Sequence, residues 1–284
     1  MILVCHGIYH LSIKMIKKKH LDFIILCGKY LGMNDDTIDL GGVSFIIHYR
    51  KDSDDRFFNL SQILRYYEQS FTGYEIIIVN DDSEEDTELN VFKESDLITI
   101  HFFKNSDNWK KNNCFNIGTA IAKYNVYGFV DTDALIDPKY MSRATTALHN
   151  GECEHIYPYN GWFINIKKEY FEEFLPTFNF TELVSQISTR KLFWENENMN
   201  IVHNRSKGGM FLMNKTGYNN IGKFNETFSG WGYEDDNNYF ISMKSSNRIG
   251  IINIDNAIMW HLEHFAIRDQ NPDITENINI SMNA

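Results

Sequence analysis

Residues 208–237 read GGMFLMNKTGYNNIGKFNETFSGWGYEDDN, and the order of features within them bears on the whole chain. Gly208-Gly209 lets the backbone come close to a ligand or take a positive φ, which a residue bearing a Cβ does only at a cost. Met210 to Met213 is apolar and strand-sized. Asn214 is placed to cap a helix over Lys215 to Ile221, and Gly222 to end it. The chain then turns through Gly230-Trp231-Gly232 into Glu234-Asp235-Asp236. Acids suit the first turn of a further helix, whose N-terminus carries partial positive charge. Taken alone, the acidic run reads as a solvated helix start, and it is the rest of the chain that argues against that.

Upstream of this block, apolar runs alternate with helical patterns. Val43 to Tyr49 is strand-like, and Phe58, Leu60, Ile63, Leu64 and Tyr67 recur at helical spacing. Glu75 to Val79 forms a second strand ending in Asn80-Asp81-Asp82, and Leu97 to Phe103 a third. Asn112 to Lys123 is helical, Val126 to Val130 is a fourth strand running into Asp131-Thr132-Asp133, and Pro138 marks a helix start. This alternation predicts an α/β domain whose mostly parallel sheet is covered on both faces and binds ligands at the carboxyl ends of its strands.

Downstream, His155 to Ile166 reads as strand and turn. Lys168 to Leu175 and Thr181 to Phe193 read as helices, and Trp194 to Lys207 as a polar loop of the length typical of lids. Ile249 to Ile254 and Ala257 to Trp260 are strand-like, and the chain from Asp269 onward has no apolar period. Residues 1–40 form an N-terminal extension of unassigned role, read as a peripheral helix or added strand. The domain spans 41–268, and 269–284 is a tail.

Composition narrows the class. The 284 residues, 43% of them hydrophobic, suffice for one sizeable core. A net charge of -11 opposes nucleic acid as a partner, since phosphate binding rests on Lys and Arg. Cys5, Cys27, Cys114 and Cys153 show neither metal-site spacing nor a disulfide framework. Sequons at Asn59, Asn179, Asn204, Asn214, Asn225 and Asn279 are what chance gives in so Asn-rich a chain. No signal peptide or apolar run of membrane-spanning length stands out. The expectation is a soluble, cytoplasmic protein with reduced thiols.

Several strand ends carry chemistry. In an extended segment the side chains of Asp131 and Asp133 point the same way, so both carboxylates can approach one divalent cation. His261 follows an apolar run with Glu263 and His264 close behind, and imidazole beside carboxylate favours Mn over Mg. Asp81 suits hydrogen bonds to a ribose or base, or a local turn. The fork of Arg50 suits a phosphate or nucleobase, or a surface ion pair with Asp52 or Asp54.

Together, Arg50, Asp81, Asn116 near a helix start, Asp131-x-Asp133, the Gly-Gly then Trp-Gly-x-Glu-Asp-Asp block and His261 resemble nucleotide-sugar-dependent glycosyltransferases of the GT-A fold. The likeness is nearest to the β-1,4-galactosyltransferase-like group and covers about Val43 to His264. It implies a Rossmann-like single domain with a mixed, mostly parallel sheet. Asp131, Asp133 and His261 would bind Mn, with Mg as the alternative, and Arg50, Asp81, Asn116 and Asp131 would hold the donor. Gly209, Trp231 and Glu234 would shape the donor-sugar and acceptor site, and Asp235 would be the base.

The implied reaction moves a sugar, with inversion, from a UDP-sugar to a saccharide or glycoprotein hydroxyl. Some features depart from the pattern. His48-Tyr49 replaces a Pro-aromatic pair, Tyr233 stands where Gly is common, and residues 1–40 have no counterpart. Two other readings compete: a carbohydrate- or nucleotide-binding module without turnover, and a nucleotidyltransferase, for which Lys51-Asp52-Ser53-Asp54 makes a poor phosphate loop.

Overall fold

A computed structural model describes residues 37–189, 199–203, 205–245, 247–264 and 271–283. The expectations for residues 1–36, and for the part of the predicted lid at 194–198, lie outside them. In chain order the first elements are β1 (Ile38–Tyr49), α1 (Asp54–Ser70), β2 (Phe71–Asp82), β3 (Ile98–Lys104), α2 (Lys111–Ile121) and β4 (Val126–Val130). Next come β5 (Ala134–Ile136), α3 (Pro138–His149), β6 (His155–Tyr157), β7 (Phe163–Ile166), α4 (Phe171–Phe174), α5 (Phe180–Thr189) and β8 (Met199–His203). The last are β9 (Met210–Asn214), α6 (Lys215–Ile221), α7 (Glu234–Lys244), β10 (Ile249–Ile251), β11 (Met259–Leu262) and α8 (Ile274–Asn283).

The described strands form two sheets. The larger runs β10-β6-β9-β4-β1-β2-β3, with β9 antiparallel to both neighbours and the other pairs parallel. Its centre is buried on both faces: Phe45, Ile46 and Ile47 of β1 are fully covered, as are Ile78 and Val79 of β2. That is why these strands read as continuous apolar runs rather than alternating ones. Each such side chain contributes about 1.5–3 kcal/mol by leaving water.

The smaller sheet runs β5-β11-β7-β8 and was not anticipated as a separate sheet. Its strands are too short to show a period; Phe163 to Ile166 and Met259 to Leu262 gain strand geometry by pairing with each other across a long sequence separation. β8 lies inside the stretch predicted to be a polar loop, where it pairs antiparallel with β7. His261, expected after a strand, lies within β11, opposite Ala134 and Asn165. Asn214 caps α6 by accepting from the Gly217 amide at 2.9 Å, and Gly222 ends that helix with φ 79°.

The segment expected to be an aperiodic tail contains α8. Ile274 and Ile278 lie half-buried on the face that also buries Asn277, so polar anchoring, described below, is joined to a short apolar contact. Among the described residues, no helix is long and apolar enough to cross a membrane. Cys114 and Cys153 are buried free thiols, which burial pushes up in pKa; Cys5 and Cys27 lie outside the described residues.

Candidate active site

Parallel β1, β2 and β4 end on one edge of the large sheet, which brings Arg50, Asp81 and Asp131 to that edge. β9 runs the other way, so its entry, Gly208-Gly209, meets the exit of β4, and the Asp131 amide donates to the Gly209 carbonyl at 2.8 Å. Gly209 takes φ 79°, and a Cβ there would lie 2.4 Å from the Met259 methyl. A Cβ on Gly208 would lie 2.4 Å from Oδ2 of Asp235. The two glycines therefore serve different ends. Gly209 admits the small sheet, whereas Gly208 makes room for an acid.

That acid belongs to a cluster in which Glu234 is buried and Asp131 and Asp235 are half-buried. α7 begins at Glu234, after Tyr233 in the left-handed region (φ 69°), so Glu234 and Asp235 sit in its first turn. Lys111, at the start of α2, reaches Asp235 at 3.0 and 3.2 Å, Asp131 at 3.0 Å and Glu234 at 3.9 Å. Burial alone would lower the Lys111 pKa, but the facing carboxylates outweigh it and hold the ammonium well above its usual range. One ammonium cannot balance three carboxylates crowded at the rim of the sheet, and the deficit appears on Glu234 and Asp235. Burial pushes Asp235 up, Lys111 pulls it back, and Glu234 and Asp131 add to the rise, which ends at about 7. Burial also raises Glu234, against the pull of Lys111. Its Oε2 accepts from the Gly232 amide at 2.8 Å, tying it to the turn that precedes it.

The paired-carboxylate expectation needs correction. β4 stops at Val130, and the turn over Thr132 and Asp133 breaks the alternation on which a common direction depends. Asp131 therefore meets Lys111, while the buried Asp133 meets Arg56 (2.7 Å), His264 (3.0 Å) and His261 (3.3 Å). The candidate metal centre is Asp133, His261 and His264, with one ligand atom of each within 4.8 Å of the others. Burial would raise the Asp133 pKa, but the two histidines and Arg56 carry it well below the carboxylate range.

The donor set fits a divalent cation. Nδ1 of His261 lies 2.6 Å from Oδ1 of Asn165, which accepts its proton. Nε2 then turns its lone pair to a carboxylate oxygen, and two facing acceptors need a proton or a metal between them. A carboxylate with two imidazoles suits Mn or another transition ion better than Mg. His264, three residues beyond His261 in the sequence, takes the place in the donor set that was expected of Asp131. Arg56 was missed because it lies within a helix, far in sequence from the strand ends. It also grips Asp52, hydrogen-bonds Thr132 at 3.0 Å and lies 5.1 Å from the Trp109 ring centre.

Two donor-side candidates prove to be supports. Asp81 is fully buried, with its oxygens taken by His48 (3.2 Å), the Asn105 side chain (2.6 Å) and the Lys110 amide (2.7 Å). Burial would raise its pKa, but these bonds lower it. Cys114 stands beside His48 and Asp81, but its thiol is raised by burial, which makes that trio a poor metal site. Asn116 spends all four of its hydrogen-bonding positions on the fold: it donates to Phe224 O and Glu226, and accepts from Tyr218 and the Phe224 amide. It ties α2 to the chain after α6 instead of lining the cleft.

Arg50 does face a polar pocket, shared with Asp107, Asn108, Lys110, Ser229 and Asp273. Its Nη1 donates to the Asp107 carbonyl at 2.7 Å and lies 4.0 Å from Asp81, so neither Asp52 nor Asp54 is its main partner. Trp231 is 41% exposed beside the acid cluster, and Asp236 contacts Lys207 at 3.4 Å on the outer side of α7.

Two family profiles match the chain. One, described as glycosyl transferase family 2, matches residues 60–216. The other, described as the N-terminal domain of galactosyltransferase, matches residues 191–264, which include the Gly-Gly entry, Glu234, Asp235, His261 and His264. No curated protein matches the chain.

Proposed function

The chain belongs to glycosyl transferase family 2 and is a galactosyltransferase-like glycosyltransferase, and from that premise we propose that it moves a sugar from a UDP-sugar to a hydroxyl of a saccharide or glycoprotein, inverting the anomeric carbon. The observation that carries this reading is Asp235. It is a carboxyl raised to about 7 at the mouth of the acid cluster, so it can take up a proton near neutral pH.

In the proposed step, Asp235 removes the proton of the acceptor hydroxyl as its oxygen bonds to the anomeric carbon. The bond from that carbon to the diphosphate oxygen breaks on the opposite face, and UDP leaves with the electron pair. Lys111 holds Asp235 in place through both carboxylate oxygens, and its link to Asp131 fixes the base relative to the sheet edge. Trp231 offers a flat face on which a sugar can stack, and Glu234 holds sugar hydroxyls beside it. The Arg50 pocket suits the nucleotide, with Asp81 as the buried support that orients the Lys110 amide and the side chains around it.

Asp133, His261 and His264 would hold Mn, which when bound offsets charge on the diphosphate oxygens. Arg56 would keep Asp133 ionised and aimed. The nucleotidyltransferase reading yields to the family match, because the profiled family transfers glycosyl groups.

The test is a screen of UDP-Gal, UDP-GlcNAc, UDP-GalNAc, UDP-Glc and GDP-sugars for thermal stabilisation with and without Mn, since a ligand selective for the native state raises its melting temperature. A UDP-sugar is expected to stabilise the parent in Mn and to lose much of the effect in EDTA, in His261→Ala and in His264→Ala. Equal stabilisation by UDP with and without EDTA would overturn the metal assignment. Turnover unchanged in Asp235→Asn would overturn the base.

A further inference from the structure

The backbone of the Ser229–Gly232 turn, which presents Trp231, is gripped by asparagine side chains of the segment 271–283. Asn277 of α8 is 1% exposed. Its Nδ2 donates to the carbonyls of Ser229 (2.9 Å) and Gly232 (3.1 Å), and its Oδ1 accepts from the Ser229 amide (3.3 Å). Asn271 donates to the carbonyls of Trp231 (2.6 Å) and Ser229 (3.3 Å).

The glycines of the turn are shaped by the same partner. A Cβ on Gly230 would lie 2.3 Å from Oδ1 of Asn271, and one on Gly232 would lie 2.6 Å from the Ile274 methyl. The segment is itself moored at its start, where Asn108 donates to Asp273 at 2.8 Å on the rim of the Arg50 pocket. Two further main-chain ties of the turn are the Gly230 amide to the Trp109 carbonyl, at 2.9 Å, and the Gly232 amide to Glu234, at 2.8 Å.

We infer that Asn277 and Asn271 are positioning residues: the C-terminal segment is part of the transfer site, gripping the backbone of the turn so that Trp231 stands where the acceptor sugar must stack. The inference rests on the proposed role of Trp231. It accounts for an asparagine side chain buried on the same face of α8 as the half-buried Ile274 and Ile278. An amide is suited to this place because it both donates and accepts within a span of four turn residues. Asn277→Asp is nearly isosteric and keeps the acceptor, but both donor bonds are lost.

The test compares the full-length parent with Asn277→Asp and, in case that variant folds poorly, Asn271→Ala. The first measurement is hydrogen exchange of the peptide carrying residues 229–233. The second is UDP release from the UDP-sugar that best stabilises the parent, with the methyl glycosides of glucose, galactose, N-acetylglucosamine and N-acetylgalactosamine as acceptor probes. The expected result is about tenfold faster exchange of that peptide and about a tenfold rise in acceptor KM. Donor KM and stabilisation by UDP with Mn stay as in the parent, a split that general loss of stability would not produce. Unchanged exchange overturns the inference, and so does faster exchange with an unchanged acceptor KM. A parent that releases UDP with no donor and acceptor pair overturns the transferase reading itself, and its inactivity marks that failure as distinct.

Discussion

Replacing Gly208 with alanine tests the assignment of the base without touching the base. The added Cβ would stand 2.4 Å from Oδ2 of Asp235, whereas a carbon and an oxygen settle at about 3.3 Å. One of them must move by about 1 Å. The backbone at Gly208 is outside the left-handed region, so alanine itself is unstrained and the carboxylate gives way. It then stretches its 3.0 and 3.2 Å bonds to Lys111.

A displacement of that size costs about 10²-fold in rate, or about 2.7 kcal/mol of barrier. Because only the end of one side chain shifts, the melting temperature stays near that of the parent. Initial rates of UDP release at saturating donor are the assay, run with Gly208→Ala, Asp235→Asn and the double variant. The expected pattern is a large loss of kcat in each single variant, unchanged donor KM in Gly208→Ala, and a double variant no worse than Asp235→Asn alone, since both act on one group. A Gly208→Ala enzyme within about threefold of the parent, by the same rate scale, would refute the reasoning, as would additive losses.

The neighbouring Gly209→Ala acts on stability instead: φ 79° and the Met259 contact predict a loss of about 1–3 kcal/mol, measured as a lower urea midpoint. The rate of transfer is expected to rise with pH and level off above about 7, because Asp235 works when deprotonated and holds its proton up to that range; Lys111→Met removes the cation that pulls this value down, so its rate limb shifts to higher pH. His155 is fully buried, hydrogen-bonded to Ser242 at 2.8 Å and pushed down to about 3 by burial. Its unfolded value is near 6.5, so its contribution is intact above about 6.5 and is lost toward pH 3, by up to about 1.4 kcal/mol per pH unit. Urea midpoints between pH 7 and 5 are expected to fall less steeply in His155→Gln than in the parent.

What was legible in the sequence was local. Apolar runs buried on both faces gave β4 in place and the centres of the longer β1 and β2, since such strands need no knowledge of their partners to be recognised. Asn214, Gly222 and Pro138 act on their own backbone within a few residues, so those helix ends were also readable. Glu234 and Asp235 stand out through a short motif whose spacing is itself the signal.

What only the tertiary structure decided depends on distance in space. Asp131 and Asp133 are separated by one residue in sequence, yet one turn sends them to separate partners, Lys111 and the Arg56–histidine group. Those partners come from α1, α2 and β11, which no periodicity connects. Asn116 and Asp81 looked free to bind ligand because sequence shows a polar group but not whether its bonds are already spent. The small sheet and α8 were hidden for the same reason: their order comes from pairing and from buried amides on remote turns, energies that exist only once the chain has folded.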